Sequence, residues 1–293
     1  MFAIEARNLT KYYGESRGIV DVDLQVKEGE IFGFIGPNGA GKSTTIRILL
    51  NFIFPTSGSA SVFGLDVVTN AREIRAQVGY LPGEVDYYDE MTAGELLAYS
   101  ARFYRQNCEG RIKELVEIFE LDTKKRIHSL SLGNKKKVAI IQALLHQPRL
   151  LILDEPTGGL DPLMQKRFFS LLREEHARGT TIFFSSHILS EVQKLCQRVA
   201  IIRDGSIITV EDVVQLRNNQ LRKVRINFSD DIPELSLPGI VNMERDNNSL
   251  QLFFNGDINQ LVQTLSAYNL QNLWLEEPTL EEVFMHYYGT EED

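Results

Sequence analysis

The sequence predicts an α/β core followed by a small α+β appendage, and three observations carry that prediction. Short apolar runs alternate with amphipathic stretches from residue 1 to about 210, as strands buried in a sheet alternate with the helices that cover it. Beyond about residue 215 the texture changes: Val224, Ile226 and Phe228 alternate along one strand face, and Asp246, Asn247 and Asn248 stand between two strand-like runs as a hairpin turn does. The length of 293 residues suits one large unit and a smaller one, each with its own core. The expected division is 1–214 and 215–293.

In chain order, the first clear strand is 31–35, apolar but for a glycine. A helix at 42–52 follows a glycine-rich turn. Apolar residues at three- and four-residue spacing mark helices at 93–104, 111–119 and 135–145, and a helical subdomain is expected over about 85–145. Strands at 150–154, 181–185 and 199–202 then alternate with helices at 163–178 and 188–196. Arg203-Asp204-Gly205 is a tight turn. In the appendage a helix is expected at 258–265, a strand at 273–275 and a last helix at 279–287. Thr279 would cap that last helix, its first turn is acidic, and Leu280, Val283, Phe284 and Tyr287 form an apolar stripe.

Composition excludes several classes. Lys and Arg number 31 against 40 Asp and Glu, a net charge of −9, which argues against a general nucleic-acid binder. Cys108 and Cys196 stand far apart in no ligand spacing, so neither a disulfide scaffold nor a cysteine metal site is expected. No secretory signal is read at the start, and no apolar run approaches the roughly 20 residues that span a bilayer.

The strongest chemical signal is Gly36-Pro37-Asn38-Gly39-Ala40-Gly41-Lys42-Ser43, a full G-x-x-x-x-G-K-[ST] between a strand and a helix that continues with Thr44. Glycines let backbone N–H groups turn toward phosphates, and the helix N-terminus adds its positive end. Lys42 reaches the β- and γ-phosphates, and the Ser43 hydroxyl binds Mg²⁺. Leu150-Leu151-Ile152-Leu153-Asp154-Glu155 is its complement, an apolar strand ending in acids. Asp154 is the metal-side carboxylate and Glu155 the group that polarises the attacking water. A nucleoside triphosphate and Mg²⁺ are the expected ligands. Guanine recognition is unsupported, because the Asn134-Lys135 pair continues as Lys136-Lys137 where N-K-x-D is required.

Between the two phosphate-site motifs stands Leu130-Ser131-Leu132-Gly133-Asn134-Lys135-Lys136-Lys137-Val138. Here the chain resembles the ATP-binding cassette (ABC) family, whose signature reads L-S-G-G-Q before a basic helix. The phosphate loop, the signature, the strand acids, Gly159-Leu160-Asp161 and Ser186-His187 follow in family order over residues 1 to about 210. The resemblance implies a P-loop NTPase core in which Lys42, Glu155 and His187 are catalytic, with His187 contacting the γ-phosphate. Tyr13 would stack on adenine, and Asp161 would couple two nucleotide sites. It also implies that two cassettes, identical or paralogous, sandwich two ATP molecules, so that Ser131 and Gly133 of one close the site of the other. Of the three consecutive lysines, two are expected on a solvated helix face.

Three positions depart from the family pattern. The first signature glycine is Leu132, the glutamine is Asn134, and the Gln of the loop after Gly79-Tyr80-Leu81-Pro82 is Gly83, with Gln77 too far upstream to replace it. Hydrolysis is still expected, since Lys42, Ser43, Asp154, Glu155 and His187 are all present.

Repair and chromosome members of the family carry long coiled coils, and ribosome-associated members carry two cassettes; neither feature is here. Transport is the use of ATP that is left, with an integral membrane permease on a separate chain and this chain peripheral on the cytoplasmic face of the cell membrane. Residues 79–95, with Tyr87, Tyr88 and Met91, lie where the family docks its membrane subunit, although those aromatics serve equally as core. Pro278-Thr279-Leu280-Glu281-Glu282-Val283-Phe284 resembles the closing segment of bacterial type-2 exporter subunits, the drug, antibiotic, bacteriocin and polysaccharide group. An importer ATPase and a soluble regulatory cassette stand as alternatives.

Overall fold

The computed structural model describes residues 1–276 apart from 86, 88, 89, 215–221, 230, 231, 234 and 247. The predicted helix over 279–287 and Tyr88 lie outside the described residues. The chain forms two compact units, Met1–Val213 and Val214–Asp293.

The first unit is built on two sheets. In the larger, the strand order is β10-β9-β3-β8-β7-β6, made of β3 (Ile31–Ile35), β6 (Val78–Leu81), β7 (Leu150–Asp154), β8 (Thr181–Ser186), β9 (Arg198–Arg203) and β10 (Ser206–Asp212). All its pairs are parallel except β9 with β10. β3, β7 and β8 are buried along their whole length; strands enclosed on both faces lose the polar alternation, so they read as continuous apolar runs. The second sheet, order β2-β1-β4-β5, joins β1 (Phe2–Tyr13), β2 (Ser16–Lys27), β4 (Ser57–Val62) and β5 (Leu65–Asp66) in antiparallel register. Phe32, Phe34, Ile152 and Phe183 of the first sheet and Ile4, Leu9, Leu24 and Val62 of the second share one core. Phe183 stacks on Phe32, ring centroids 6.1 Å apart.

The helices are α1 (Lys42–Leu49), α2 (Ala71–Arg75), α3 (Ala93–Ala101), α4 (Glu109–Phe119), α5 (Leu132–Leu144), α6 (Pro162–Ala177) and α7 (Leu189–Leu195). Several ends differ from the periodicity reading. α1 stops at Leu49 and not at 52, because Asn51 takes φ 52° and the chain turns back there. α3 stops at Ala101, where three successive tighter turns replace the helical ladder. α5 begins three residues early at Leu132, since the Ser131 hydroxyl caps it by accepting from the Asn134 N–H at 3.4 Å. The periodicity reading also leaves out β1, β2, β4, β5, β6, β10 and α2. β2 alternates exposed and buried positions, and β4 and β5 are short and polar, so none offers a long apolar run.

Parallel register puts the carboxyl ends of three strands at one edge. Asp154 pairs with Ser185 and Ile35 with Ser186, so Gly36, Asp154 and Ser186 leave the sheet side by side. That edge is where open α/β sheets bind ligands.

The second unit is an antiparallel sheet ordered β12-β13-β11-β14, of β11 (Arg222–Phe228), β12 (Ile240–Asp246), β13 (Ser249–Phe254) and β14 (Leu270–Glu276), with α8 (Ile258–Leu265) on one face. Val224, Ile226, Leu250, Leu252 and Phe254 meet Leu261 and Leu265 in its core. The predicted 273–275 strand lies within the second half of β14.

Candidate functional site

The loop from Gly36 to Gly41 turns from β3 into α1. Its glycines answer to space as well as to conformation: a Cβ on Gly36 would stand 2.2 Å from the Ile202 carbonyl oxygen, and one on Gly41, at φ +107°, would stand 2.6 Å from Ile19 Cγ2. α1 has no side-chain cap and no acid in its first turn, so its first amides and its positive end are available to a ligand. Lys42 opens the helix and is 5% exposed. Its Nζ donates to Gly36 O at 2.7 Å and Pro37 O at 3.0 Å, and lies 3.4 Å from Glu155 Oε1.

The second motif meets the first through a hydroxyl. Ser43 Oγ donates to Asp154 Oδ2 at 2.8 Å, and Ser185 Oγ donates to Asp154 Oδ1 at 3.2 Å. Asp154 is buried, and its charge adds to burial in pushing the neighbouring Tyr80 hydroxyl up to about 12. One hydroxyl and one carboxylate are hard oxygen donors of the kind Mg²⁺ takes, and this ion keeps several waters and needs few protein ligands. The pair therefore fits the metal that the motifs imply.

Glu155 leaves the strand with φ 46°, a left-handed conformation that costs a side-chain-bearing residue about 1 kcal/mol or more. Its N–H donates to Ser185 O at 3.1 Å. Its carboxylate spans two partners, Lys42 through Oε1 and His187 Nδ1 at 2.9 Å through Oε2. The carboxylate has no hydrogen to give, so Nδ1 carries it and Nε2 is the ring nitrogen left for a ligand.

Tyr13, Arg17, Gly18, Asn38, Gly39, Gly41, Lys42, Ser43, Thr44 and Glu155 line one cleft. Tyr13 is half-exposed, and Gly18 lets its ring approach α1: a Cβ on Gly18 would sit 2.9 Å from Tyr13 Cε2 and 3.3 Å from Thr44 Cγ2. Arg17 and Gly18 are cleft residues that the motif reading missed, because they arrive from the β1–β2 hairpin and belong to no motif.

Of the predicted site residues, Gly36, Ala40, Ser131, Gly133, Asp154, Asp161 and His187 are not among the lining residues. Ser131 caps α5. A Cβ on Gly133 would meet Gly159 O at 2.7 Å, so the signature turn lies against the Gly159 turn of its own chain. Asp161 caps α6, its Oδ1 accepting from the Met164 N–H at 2.9 Å. Leu132 points outward at 71% exposure.

Lys136 is a third residue the motif reading left unassigned. Lys135 and Lys137 are partly exposed, whereas Lys136 is buried, its Nζ donating to the carbonyls of Pro82, Gly83 and Glu155. Burial pulls its pKa down to about 8, against the opposing pull of the Asp154 and Glu155 carboxylates. Gly83 itself has room: a Cβ there would lie 3.5 Å from Asp154 O and 4.0 Å from its carboxylate. Gln77 is engaged elsewhere, accepting from Arg149 at 2.7 Å.

The comparisons with known proteins agree with this geometry. Residues 19–158 match the family model described as ABC transporter. The chain is 40% identical over 233 residues to the bacitracin transport ATP-binding protein BcrA of Bacillus licheniformis, covering 78% of this chain and 75% of that one. It is 34% identical to the Nod factor export ATP-binding protein I of Rhizobium johnstonii, covering 99% and 96%. A solved ATP-binding subunit of an ABC transporter superposes with TM-score 0.70 at 32% identity, over 73% of this chain and 92% of that one. A solved bacterial ABC transporter cassette described as dimeric gives TM-score 0.65 at 27% identity, over 72% and 98%. With that overlap in sequence, fold and motif order, the chain belongs to the ABC transporter family, among its ATP-binding, ATP-hydrolysing subunits.

Proposed function

We propose that this chain is the ATPase motor of an exporter, working as one of a pair of cassettes attached to a separate membrane permease on the cytoplasmic face of the membrane. The observation that carries the reading is the meeting of Lys42, the Ser43–Asp154 pair and the Glu155–His187 pair at one sheet edge. Lys42 binds the β- and γ-phosphates with the Gly36–Gly41 amides, and Tyr13 stacks on the adenine. Ser43 and Asp154 hold Mg²⁺, which supplies charge neutralisation on the phosphates when bound. Glu155 polarises a water in line with the γ-phosphate, and His187 holds that phosphate through Nε2 while Nδ1 orients the carboxylate.

Ser131 caps α5, Gly133 lies in its first turn and Asp161 caps α6, and a solved cassette described as dimeric supports their acting on a second cassette. The helix beginning at Leu132 would aim its N-terminus at the partner's γ-phosphate. A relative named for Nod factor export supports an exporter over an importer. None of the described helices is long and apolar enough to cross a membrane, which supports a permease on another chain. Purifying the chain from membranes and identifying what accompanies it tests the reading. An integral membrane protein whose presence raises ATP turnover is expected. Recovery without one, at unchanged turnover, would favour the regulatory cassette.

A further inference from the structure

Lys136 ends where two loops of the nucleotide site meet. Its ammonium donates to Pro82 O at 3.0 Å and Gly83 O at 3.1 Å in the loop after β6, and to Glu155 O at 3.2 Å after β7. The side chain is 3% exposed. A solvated lysine on a helix face needs none of this, and burying an ammonium is costly unless its donors are satisfied.

The third contact bears on the chemistry. Glu155 holds a left-handed φ that a residue with a side chain rarely adopts. Ser185 O takes its N–H on one side and Lys136 Nζ takes its carbonyl on the other. That turn is what delivers Oε1 to Lys42 and Oε2 to His187. Relaxed to an ordinary backbone conformation, the peptide would swing the carboxylate off one or both partners.

We propose that Lys136 is a positioning residue for Glu155: it clamps the Pro82–Gly83 loop onto the Glu155 carbonyl, and so fixes the carboxylate between Lys42 and His187. The proposal rests on the reading of Glu155 as the water-polarising group. It concerns the orientation of that group and leaves nucleotide affinity to the phosphate loop.

The full chain serves for the test, with Lys136→Met, Lys136→Arg and Glu155→Gln. Lys136→Gln replaces the Met variant should that one not fold. Histidine-ring nitrogen spectra of the nucleotide-free protein, with the His187 signal identified by its loss in His187→Ala, report the Nδ1 contact directly. MgATP turnover is measured in parallel. Lys136→Met should shift the His187 signal as Glu155→Gln does, and lower kcat about tenfold or more without raising KM. Lys136→Arg, which keeps charge and donors, should stay near wild type in both. The Lys136→Met, Glu155→Gln double variant should lose no more than Glu155→Gln alone. A His187 signal that Glu155→Gln moves and Lys136→Met leaves in place would overturn the proposal, as would a loss from Lys136→Met confined to KM. A Glu155→Gln variant with wild-type signal and turnover would instead sink the reading of Glu155, and the proposal with it.

Discussion

Replacing Glu155 by Gln should act in opposite directions on hydrolysis and on binding. Hydrolysis loses the group that takes charge from the attacking water, which is worth about 10²- to 10⁴-fold in rate. Binding gains, because Glu155 Oε1 stands 3.4 Å from Lys42 Nζ and competes with phosphate for it. At that distance the attraction is about 1 kcal/mol in water and about 5 kcal/mol at an effective dielectric constant of ~20. The carboxylate is 31% exposed, so screening places the value near the lower figure, and removing it should tighten ATP binding about fivefold or more. Gln keeps the size, so the left-handed turn and the Lys136 contact to its carbonyl survive. Phosphate release at saturating MgATP measures the first effect and titration with a fluorescent ATP analogue the second. Turnover within threefold of wild type, or weaker ATP binding, would refute the assignment of Glu155 as both hydrolytic group and Lys42 partner.

Three further outcomes follow from the same geometry. Gly36→Ala places a methyl 2.2 Å from the Ile202 carbonyl; overpacking against backbone should cost about 2 kcal/mol or more and lower the melting temperature by roughly 5 °C, read by thermal unfolding. The Cβ of Gly83→Gln meets nothing closer than 3.5 Å, so the substitution does not press on the backbone there and should fold as stably as wild type with an amide reaching toward Asp154. Its turnover should rise about threefold or more, and an unchanged rate would show that the wild-type loop lacks nothing. His146 is buried, stacked on Tyr104 at 3.8 Å, and held down at about 4 by burial. Its folded pKa lies below its unfolded value of about 6.5, so the unfolded chain takes up a proton first and stability falls as pH drops from 6.5 toward 4. Denaturant unfolding at pH 5.0 against pH 7.5 should show a loss of about 2 kcal/mol in wild type that His146→Phe lacks.

Much of the site was legible because its residues sit in contiguous motifs whose spacing is dictated by phosphate geometry. Gly36 to Ser43, Asp154 and Glu155, and His187 each end or follow a strand of the parallel sheet, and those strands are buried along their length around apolar centres. The same logic explains the omissions. β1 mixes buried and exposed positions and β2 alternates them, so neither is a continuous apolar run, and the hairpin that carries Tyr13, Arg17 and Gly18 to the cleft left only Tyr13 to be found, through family resemblance. Helix ends were misread wherever a local event outweighed periodicity, as with Asn51 turning left-handed and Ser131 capping three residues early.

By itself the sequence determined the motifs and their order: a glycine-rich loop of the phosphate-binding pattern, two acids at the end of an apolar strand and a histidine after another, in an order that resembles the family's. Such motifs are short-range, and a glycine loop or a strand-ending acid has the same requirements in any member. The tertiary structure alone decided which of these groups touch. It set Ser43 on Asp154 and Glu155 between Lys42 and His187, and it kept Ser131, Gly133 and Asp161 out of that cleft. It also turned one of three consecutive lysines inward onto the carbonyls of two distant loops. No local pattern distinguishes Lys136 from Lys135 or Lys137. Parallel strand register and helix rotation are global properties, fixed by how the whole core packs, and they decide which side chain is enclosed and what it meets there.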